Sequence, residues 1–174
     1  MTHTLMPNKQ APELSLSLVG GGDWCLSKQE PENFTMIIFY RGLHCPVCKS
    51  YLGKLNAMMN DILDLGFSVI VASMDPLKRA EQAKEEWGLD RLKVAYGLEI
   101  ETAKKWGLYI SKSIKDSENS VFSEPGLIWV RPDGTLYLID ISNMPWARPE
   151  LETLMPKAKF AVENNYPARG NADT

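Results

Sequence analysis

The 174-residue chain contains only three cysteines and two histidines. Three cysteines are too few for the disulfide scaffold of a small secreted protein. Runs of basic residues are lacking as well, and the net charge is −3. Nothing therefore indicates a nucleic acid or an anionic membrane as a partner.

Long apolar stretches are also absent from the sequence. No segment approaches the roughly 20 apolar residues of a transmembrane helix, and residues 1–11 lack the charged start and apolar run of a secretory signal. We therefore predict a soluble, cytoplasmic protein. Its length fits one domain spanning residues 1–174, with a polar tail at 165–174.

Apolar and alternating segments predict the strands. Leucine alternates with serine over 14–18, which predicts a half-buried strand, and residues 24–26 return after a glycine-rich turn as its hairpin partner. Segments 34–40 (FTMIIFY) and 67–73 (FSVIVAS) are apolar on both faces, as in central strands covered by helices. Further strands are predicted at 92–95, 127–130 and 136–141, the last two joined by the turn 131–134.

Apolar residues at helical spacing predict the helices. The longest is predicted at 46–65 and stops at Gly66, where a C-cap glycine belongs. Asp75 and Pro76 form an N-cap and first-turn pair for a second helix. Two more helices are predicted at 99–106 and 149–164, and the polar segment 112–120 is predicted to be a loop.

The order of these elements predicts an α/β protein. Strands joined by crossover helices form a parallel sheet, to which the C-terminal hairpin adds antiparallel strands. A central mixed sheet flanked by helices, extended by an N-terminal β-hairpin, is typical of the thioredoxin fold. Strands 34–40, 67–73 and 136–141 should run parallel, so we expect Arg41, Asp75 and the loop 142–148 to meet at one sheet edge.

One cysteine pair lies at that edge. Cys45-Pro46-Val47-Cys48 stands between a buried strand and an amphipathic helix, and a CxxC in this setting indicates redox chemistry. The helix N-terminus offers unpaired amides and a partial positive charge, which stabilise a thiolate at Cys45. Cys48 lies on the same helical face and can close a disulfide with Cys45.

Two other interpretations of this pair stay open. It could be half of a zinc site, although four ligands are usual and the only other candidates are Cys25, His44 and His3. Both cysteines could also be inert and buried, since free cysteine is commonly buried. We predict that role for Cys25 in the N-terminal hairpin, and we predict neither a metal nor another cofactor.

A family resemblance supports the redox interpretation. The stretch FYRGLHCPVCKSYLGKL, followed by VIVASMD, resembles the alkyl hydroperoxide reductase/thiol-specific antioxidant family, in particular a peroxiredoxin-like branch with an RGxxCPxC signature. The ending NMPWARPELETLMPKAKFAVENNYPARG is similar to the same branch, so the resemblance spans about Ala11 to Gly170. It implies a thioredoxin fold, with Cys45 as the peroxide-reactive thiol and Cys48 as its resolving partner.

The chain departs from typical peroxiredoxins at several positions. They carry a proline seven residues before the reactive cysteine and a threonine or serine three residues before it, where this chain has Ile38 and Gly42. They also carry an arginine before the strand that begins the hairpin, where this chain has 123–126, Ser-Glu-Pro-Gly. Arg41 or Arg148 could supply the missing cation, or both could pair with surface carboxylates.

Two further residues flank the expected site. Thioredoxin-like proteins place a cis proline opposite the CxxC, and Pro125 is the candidate, with the Glu124 backbone presented to a disulfide or to Cys45. The alternative is an ordinary trans proline at the start of a strand. His44 precedes the nucleophile and, if protonated, would favour the thiolate; a packed or solvent-facing histidine is the alternative.

We predict a peroxiredoxin-like thiol peroxidase that reduces hydroperoxides through a Cys45–Cys48 dithiol–disulfide cycle and is regenerated by a thioredoxin- or glutathione-linked reductant. One alternative is a thioredoxin-like oxidoreductase acting on disulfides. Another is a non-catalytic redox sensor or binding module with the same fold. Peroxiredoxin relatives often dimerise, so the resemblance also allows a homodimer.

Overall fold

The computed structural model describes residues 5–172. His3 and the last two residues of the predicted tail lie outside them. The strands are β1 (Ser15–Leu18), β2 (Asp23–Cys25), β3 (Phe34–Phe39), β4 (Phe67–Ala72), β5 (Val94–Tyr96), β6 (Ile110–Lys112), β7 (Val121–Ser123), β8 (Gly126–Val130) and β9 (Leu136–Ile141). The helices are α1 (Pro46–Ala57), α2 (Met59–Asp64), α3 (Leu77–Glu86), α4 (Ile100–Lys105) and α5 (Leu151–Glu163).

Seven strands form one mixed sheet in the order β2-β1-β5-β4-β3-β8-β9. β3 pairs in parallel with β4, and β4 in parallel with β5. On its other side β3 pairs antiparallel with β8, which pairs antiparallel with β9. β9 therefore runs parallel to β3, and the predicted common edge is confirmed.

Helices cover both faces of this sheet, as the thioredoxin fold requires. One face packs against apolar residues of α1, α2, α3 and α5, and the other against α4 and the N-terminal segment. Every residue of β3 is buried. This confirms the prediction that the 34–40 segment forms a central strand covered on both faces. The N-terminal hairpin of β1 and β2 joins the sheet through β5.

The predicted helix at 46–65 is wrong in one respect, because it is two helices. α1 ends at Ala57 and α2 begins at Met59, with Met58 at φ −90° and ψ 0° between them. The break changes which side chains face the core: Met59 and Ile62 are buried, whereas Leu63 is 53% exposed. A single apolar stripe cannot reveal such a break, since both helices contribute residues to it.

The predicted loop at 112–120 is also only partly correct. β6 and β7 enclose it as a separate antiparallel pair, with Ser111 opposite Phe122. The polar residues of the connection conceal this pair in the sequence, but Phe122 is buried. The pair carries two side chains of the site described below, Ser111 on β6 and Phe122 on β7.

Cys25 differs from its prediction as a buried residue, because it is only half-buried. Strand alternation points the neighbouring Trp24 into the core, so Cys25 lies on the opposite face at the sheet edge, 3.4 Å from the Ser15 hydroxyl. No helix within residues 5–172 is long and apolar enough to cross a membrane.

Candidate active site

Cys45 occupies the N-cap position of α1. Pro46 starts the helix, and the Cys45 sulfur accepts a hydrogen bond from the Cys48 amide at 3.2 Å. Serine, threonine or aspartate oxygens usually fill this capping role. Here a sulfur takes their place, so the free helix amides and the helix dipole act directly on the atom expected to become a thiolate.

The loop between β3 and α1 is held by Asp75, which is fully buried. Its carboxylate accepts hydrogen bonds from the Leu43 amide at 2.8 Å and from the Asn119 side chain at 2.7 Å. Asp75 therefore does not act as the predicted N-cap of α3, which begins after Pro76 without a side-chain cap. Its carboxylate is occupied by the loop that carries Cys45.

Arg41 supplies a cation beside Cys45. Its Nε donates to Glu124 Oε2 at 3.0 Å, and the Ser111 hydroxyl donates to Glu124 Oε1 at 2.7 Å. The Arg41 guanidinium also lies 4.9 Å from the centre of the Phe122 ring. Arg41 is thus both paired with a carboxylate and placed at the site, which the sequence offered as alternatives.

The prediction of a cis proline is wrong. No peptide bond within the described residues is cis, and Pro125 lies in the short connection between β7 and β8. The Glu124 amide donates to the Tyr109 carbonyl at 2.8 Å, and the Pro125 carbonyl accepts from the Ser142 amide at 3.0 Å. Backbone hydrogen bonds thus hold both residues of this connection, and the Glu124–Pro125 bond has the ordinarily preferred trans form. Glu124 serves the site with its carboxylate, and its amide is already bonded.

Arg148 contacts the second cysteine. Its Nη2 donates to the Cys48 sulfur at 3.3 Å, and its Nε donates to the Pro145 carbonyl at 2.8 Å. The guanidinium lies 4.8 Å from the centre of the Tyr51 ring on α1. The loop after β9 therefore reaches across the sheet edge to the CxxC, as the parallel direction of β9 predicts.

His44 is the packed histidine of the two alternatives. Its ring meets the Phe122 ring edge-on at 4.6 Å, and both ring nitrogens are buried without a hydrogen-bond partner among the described residues. Burial, and then the charge of Arg41, lower the pKa of His44. A neutral imidazole at this position adds no positive charge to the site.

The pKa values of Cys45 and Cys48 are shifted in opposite directions. The hydrogen bond from the Cys48 thiol is the largest influence on Cys45; burial opposes it, but the Cys48 amide and Arg41 act with it and lower the pKa of Cys45 to about 6. Burial raises the pKa of Cys48 well above its ordinary value, with the bond to Cys45 acting in the same direction and Arg148 against it. Cys45 is therefore the thiolate and Cys48 the thiol.

A pH titration of the reduced protein tests this assignment. We expect the ultraviolet absorbance of thiolate to rise with a midpoint near pH 6, from the lowered pKa of about 6, and this step to vanish in Cys45→Ser. A thiol whose pKa is lower in the folded than in the unfolded state contributes its full stabilisation of the fold above the unfolded pKa. This stabilisation is lost as the pH falls through the folded pKa. The free energy of unfolding of wild type should thus increase relative to Cys45→Ser between pH 6 and pH 9. A midpoint near the ordinary 9.0 would contradict the assignment.

Both cysteines of the CxxC motif are inaccessible to solvent in this structure. Cys45 and Cys48 have no exposed surface, and neither is in a disulfide. The residues between them, Pro46 and Val47, are exposed and line a groove of about 430 Å³ together with Trp146. The reactive thiol is thus shielded, while an apolar surface lies beside it.

The sequence located most of this site. The structure brings Arg41 and Asp75 to the Cys45 loop and Arg148 to Cys48, as the sheet topology predicted. Sequence reasoning missed the carboxylate role of Glu124 and the contribution of β6 and β7. Arg41 and Glu124 are 83 residues apart, and no spacing pattern signals that pair.

A family comparison agrees with the geometry. The family model described as the AhpC/TSA family matches residues 7–139, which include β1 to β8 and both cysteines of the CxxC. No curated protein matches the chain by sequence.

Solved peroxiredoxin structures share the fold. A peroxiredoxin-like protein from Aquifex aeolicus has a TM-score of 0.74 at 18% identity, covering 92% of this chain and 89% of that one. A reduced 2-Cys peroxiredoxin from Plasmodium vivax has a TM-score of 0.75 at 14% identity, covering 95% and 89%. Reduced Prx3 from Vibrio vulnificus, in complex with hydrogen peroxide, has a TM-score of 0.72 at 11% identity, covering 88% and 99%.

Proposed function

This chain belongs to the AhpC/TSA family and is a thiol-dependent oxidoreductase; from that premise we propose that it reduces hydroperoxides through a dithiol–disulfide cycle of Cys45 and Cys48. The observation that carries the proposal is the environment of the Cys45 sulfur. It caps the N-terminus of α1, lies beside Arg41, and has a pKa lowered to about 6. A thiolate can attack a peroxide, and the neighbouring cation and helix amides can stabilise the oxyanion that leaves.

Burial of the site favours a peroxide over a disulfide as the oxidised substrate. In the dithiol state of this structure Cys45 has no exposed surface, whereas a thiol that attacks a protein disulfide must present its sulfur to another chain. The trans bond at Pro125 also removes one feature that is typical of thioredoxin-like proteins acting on disulfides. A hydroperoxide is far smaller than a protein disulfide and requires a smaller opening to reach this sulfur.

The proposed cycle balances without a further cofactor. The Cys45 thiolate attacks one peroxide oxygen, the O–O bond breaks, and the alcohol or water leaves as Cys45 becomes a sulfenic acid. The Cys48 sulfur then attacks the Cys45 sulfur, forming the disulfide and releasing the hydroxyl group as water. Two electrons from an external dithiol of the thioredoxin type, or from glutathione, restore both thiols. Exposed Val47 and Trp146 offer an apolar surface beside the motif for such a reductant.

The intermediate of this cycle can be trapped by Cys48→Ser. With the resolving thiol gone, we expect hydrogen peroxide to leave a stable sulfenic acid on Cys45, detected by mass spectrometry after dimedone labelling. The wild type should instead lose two thiols and form an intramolecular disulfide. Cys25→Ser is the matched control, because Cys25 lies at the far edge of the sheet, and it should cycle like wild type.

Two results would contradict the proposal. If wild type reacts slowly with hydrogen peroxide but reduces insulin rapidly with dithiothreitol, the protein is a disulfide oxidoreductase. If it does neither, the redox-sensor or binding interpretation is the better one.

A further inference from the structure

Arg148 differs from Arg41 in having no carboxylate partner. Arg41 pairs with Glu124 at 3.0 Å, whereas Arg148 forms no ion pair among the described residues. Its Nη1 atom is buried and also has no hydrogen-bond partner among them. Asp140 borders the same small cavity as Arg148, but the two are not paired. The cation beside Cys48 therefore has no paired counter-ion among the described residues while the protein is reduced.

Uncharged groups hold the Arg148 guanidinium in place. Its Nε donates to the Pro145 carbonyl at 2.8 Å, and its centre lies 4.8 Å from the centre of the Tyr51 ring. The Tyr51 hydroxyl also donates to the Pro149 carbonyl at 2.7 Å, which ties the same loop to α1. These contacts leave Nη2 to donate to the Cys48 sulfur at 3.3 Å. The guanidinium is thus positioned on that sulfur before any negative charge forms there.

The resolving step requires a negative charge on the Cys48 sulfur. In the reduced state the Cys48 thiol donates to the Cys45 thiolate, as the opposite pKa shifts of the two groups reflect. Once Cys45 is oxidised, its sulfur is no longer an anion, and Cys48 must attack it as a thiolate. Cys48 has no exposed surface. Protein groups, rather than solvent, must therefore stabilise this charge.

Arg148 supplies positive charge among the groups that face Cys48. Burial raises the pKa of the Cys48 thiol and the bond to Cys45 adds to this, while Arg148 acts against both from the loop after β9, together with the Arg41 backbone. Tyr40, which follows β3, also interacts with Cys48, but burial raises the pKa of its phenol and keeps it neutral. Oxidation of Cys45 removes the influence of the Cys45 thiolate and leaves that of Arg148.

We propose that Arg148 is a catalytic residue of the disulfide-forming step, where its guanidinium stabilises the Cys48 thiolate that attacks oxidised Cys45. The Cys48 S–H bond breaks, and an electron pair of this sulfur forms the Cys48–Cys45 S–S bond. The Cys45 S–O bond breaks, and the hydroxyl group leaves with that bond's electron pair and takes up the Cys48 proton as water. The guanidinium stays charged throughout. The inference rests on the proposed dithiol cycle and assigns Arg41 and Arg148 to its two successive steps.

The two steps can be separated without peroxide by methyl methanethiosulfonate, in a Cys25→Ser background. The reagent places a methylthio group on the Cys45 sulfur and releases methanesulfinate, and Cys48 then displaces the group as methanethiol and closes the same disulfide. Acid quenching and mass spectrometry measure both steps. In Arg148→Met we expect methylthiolation of Cys45 at the wild-type rate and closure slower by about 10-fold near neutral pH.

Two opposing effects set the size of this slowing. Loss of one donor aimed at a developing anion destabilises that anion by about 10²-fold. A more basic thiolate is the better nucleophile, with a Brønsted slope of about 0.4–0.5, so roughly half of the loss returns on a logarithmic scale. The net effect on closure is therefore about 10-fold.

The pH profile distinguishes thiolate stabilisation from a structural role. Closure in wild type should level off once Cys48 is ionised, whereas closure in Arg148→Met should keep rising to higher pH, so the gap between them narrows. A loop displaced by the substitution would instead slow closure by the same factor at every pH. Arg148→Lys keeps the charge without the guanidinium fork, and its rate should lie between the two.

Arg131→Met is the matched control. Arg131 lies 4.9 Å from the centre of the Tyr137 ring and donates to the Asn8 side chain at 3.0 Å, so its loss removes contacts like those of Arg148. It follows β8 in the turn to β9, at the end of the sheet remote from the CxxC. Arg131→Met should therefore close like wild type at every pH.

Equal closure rates in wild type and Arg148→Met, equal slowing of both steps, or a slowing that is constant with pH would overturn the inference. If Arg148→Met does not fold, Arg148→Gln, which is neutral but can still donate to the Pro145 carbonyl, takes its place with the same outcomes. If wild type closes with the methylthio reagent but does not react with hydrogen peroxide, the proposed peroxidase is contradicted instead, and the role of Arg148 stands.

Discussion

Replacing Arg41 by methionine is expected to slow the reaction of Cys45 with hydrogen peroxide by about 10²-fold, as loss of a transition-state donor typically does. The guanidinium lowers the pKa of Cys45 and would therefore lie beside a peroxide that this sulfur attacks. The same change should reduce the free energy of unfolding by about 3 kcal/mol. It leaves Glu124, whose side chain is only 4% exposed, without its charged partner. Stopped-flow peroxide kinetics and urea unfolding measure the two effects.

A double variant separates these effects. In Arg41→Met/Glu124→Gln the buried carboxylate is neutral, and the Gln oxygen still accepts from the Ser111 hydroxyl, so most of the lost stability should return. The peroxide reaction should stay slow, because the cation is still missing. If the double variant recovers the wild-type rate, Arg41 serves only to neutralise Glu124, and its assigned role at Cys45 is wrong.

Replacing Gly42 by alanine is expected to destabilise the protein by about 3 kcal/mol, from backbone strain and overpacking together. Gly42 has a φ of +139°, and a Cβ placed there would lie 2.7 Å from Asp75 Oδ1. Asp75 cannot move away without losing its hydrogen bond to the Leu43 amide. The strained loop should also displace Cys45 from the α1 N-cap and raise its pKa, which the thiolate titration would detect.

Gly21→Ala is the matched control for this prediction. Gly21 has a φ of +105°, but nothing lies within 4 Å of its added Cβ. Its cost should therefore be the backbone strain alone, about 1 kcal/mol, with no change in the Cys45 titration. Equal losses of stability in the two variants would show that contact with Asp75 contributes nothing at Gly42.

The same contact accounts for one departure of this chain from the typical peroxiredoxin pattern, the glycine at position 42. A threonine or serine at position 42 would meet the Asp75 carboxylate, which here holds the loop from the adjacent strand end. The typical pattern has an arginine at the position of Glu124-Pro125. In this chain Arg41 and Arg148 supply positive charge near the two cysteines instead. Glu124 itself anchors Arg41.

Sequence patterns succeeded where local forces dominate. Apolar runs predicted β3 and β4 because both faces of these strands are buried, and the strand-to-helix position of the CxxC placed Cys45 at a helix N-terminus. Parallel strands with a common edge then predicted that the loop carrying Arg148 reaches the site. Each of these inferences needs only a residue, its neighbours along the chain and the direction of a strand.

The tertiary structure alone decided which groups touch which sulfur. Arg41 meets Glu124, 83 residues away in the sequence, Arg148 meets Cys48 across 100 residues, and the bond before Pro125 is trans. These contacts depend on packing between elements remote in sequence, where many partners of similar chemistry compete and distance and burial select among them. The sequence by itself therefore determined the dithiol and its place in the fold. The helix N-terminus also predicted the thiolate at Cys45, whereas only the packed structure showed the raised pKa of the Cys48 thiol and a separate arginine beside each cysteine.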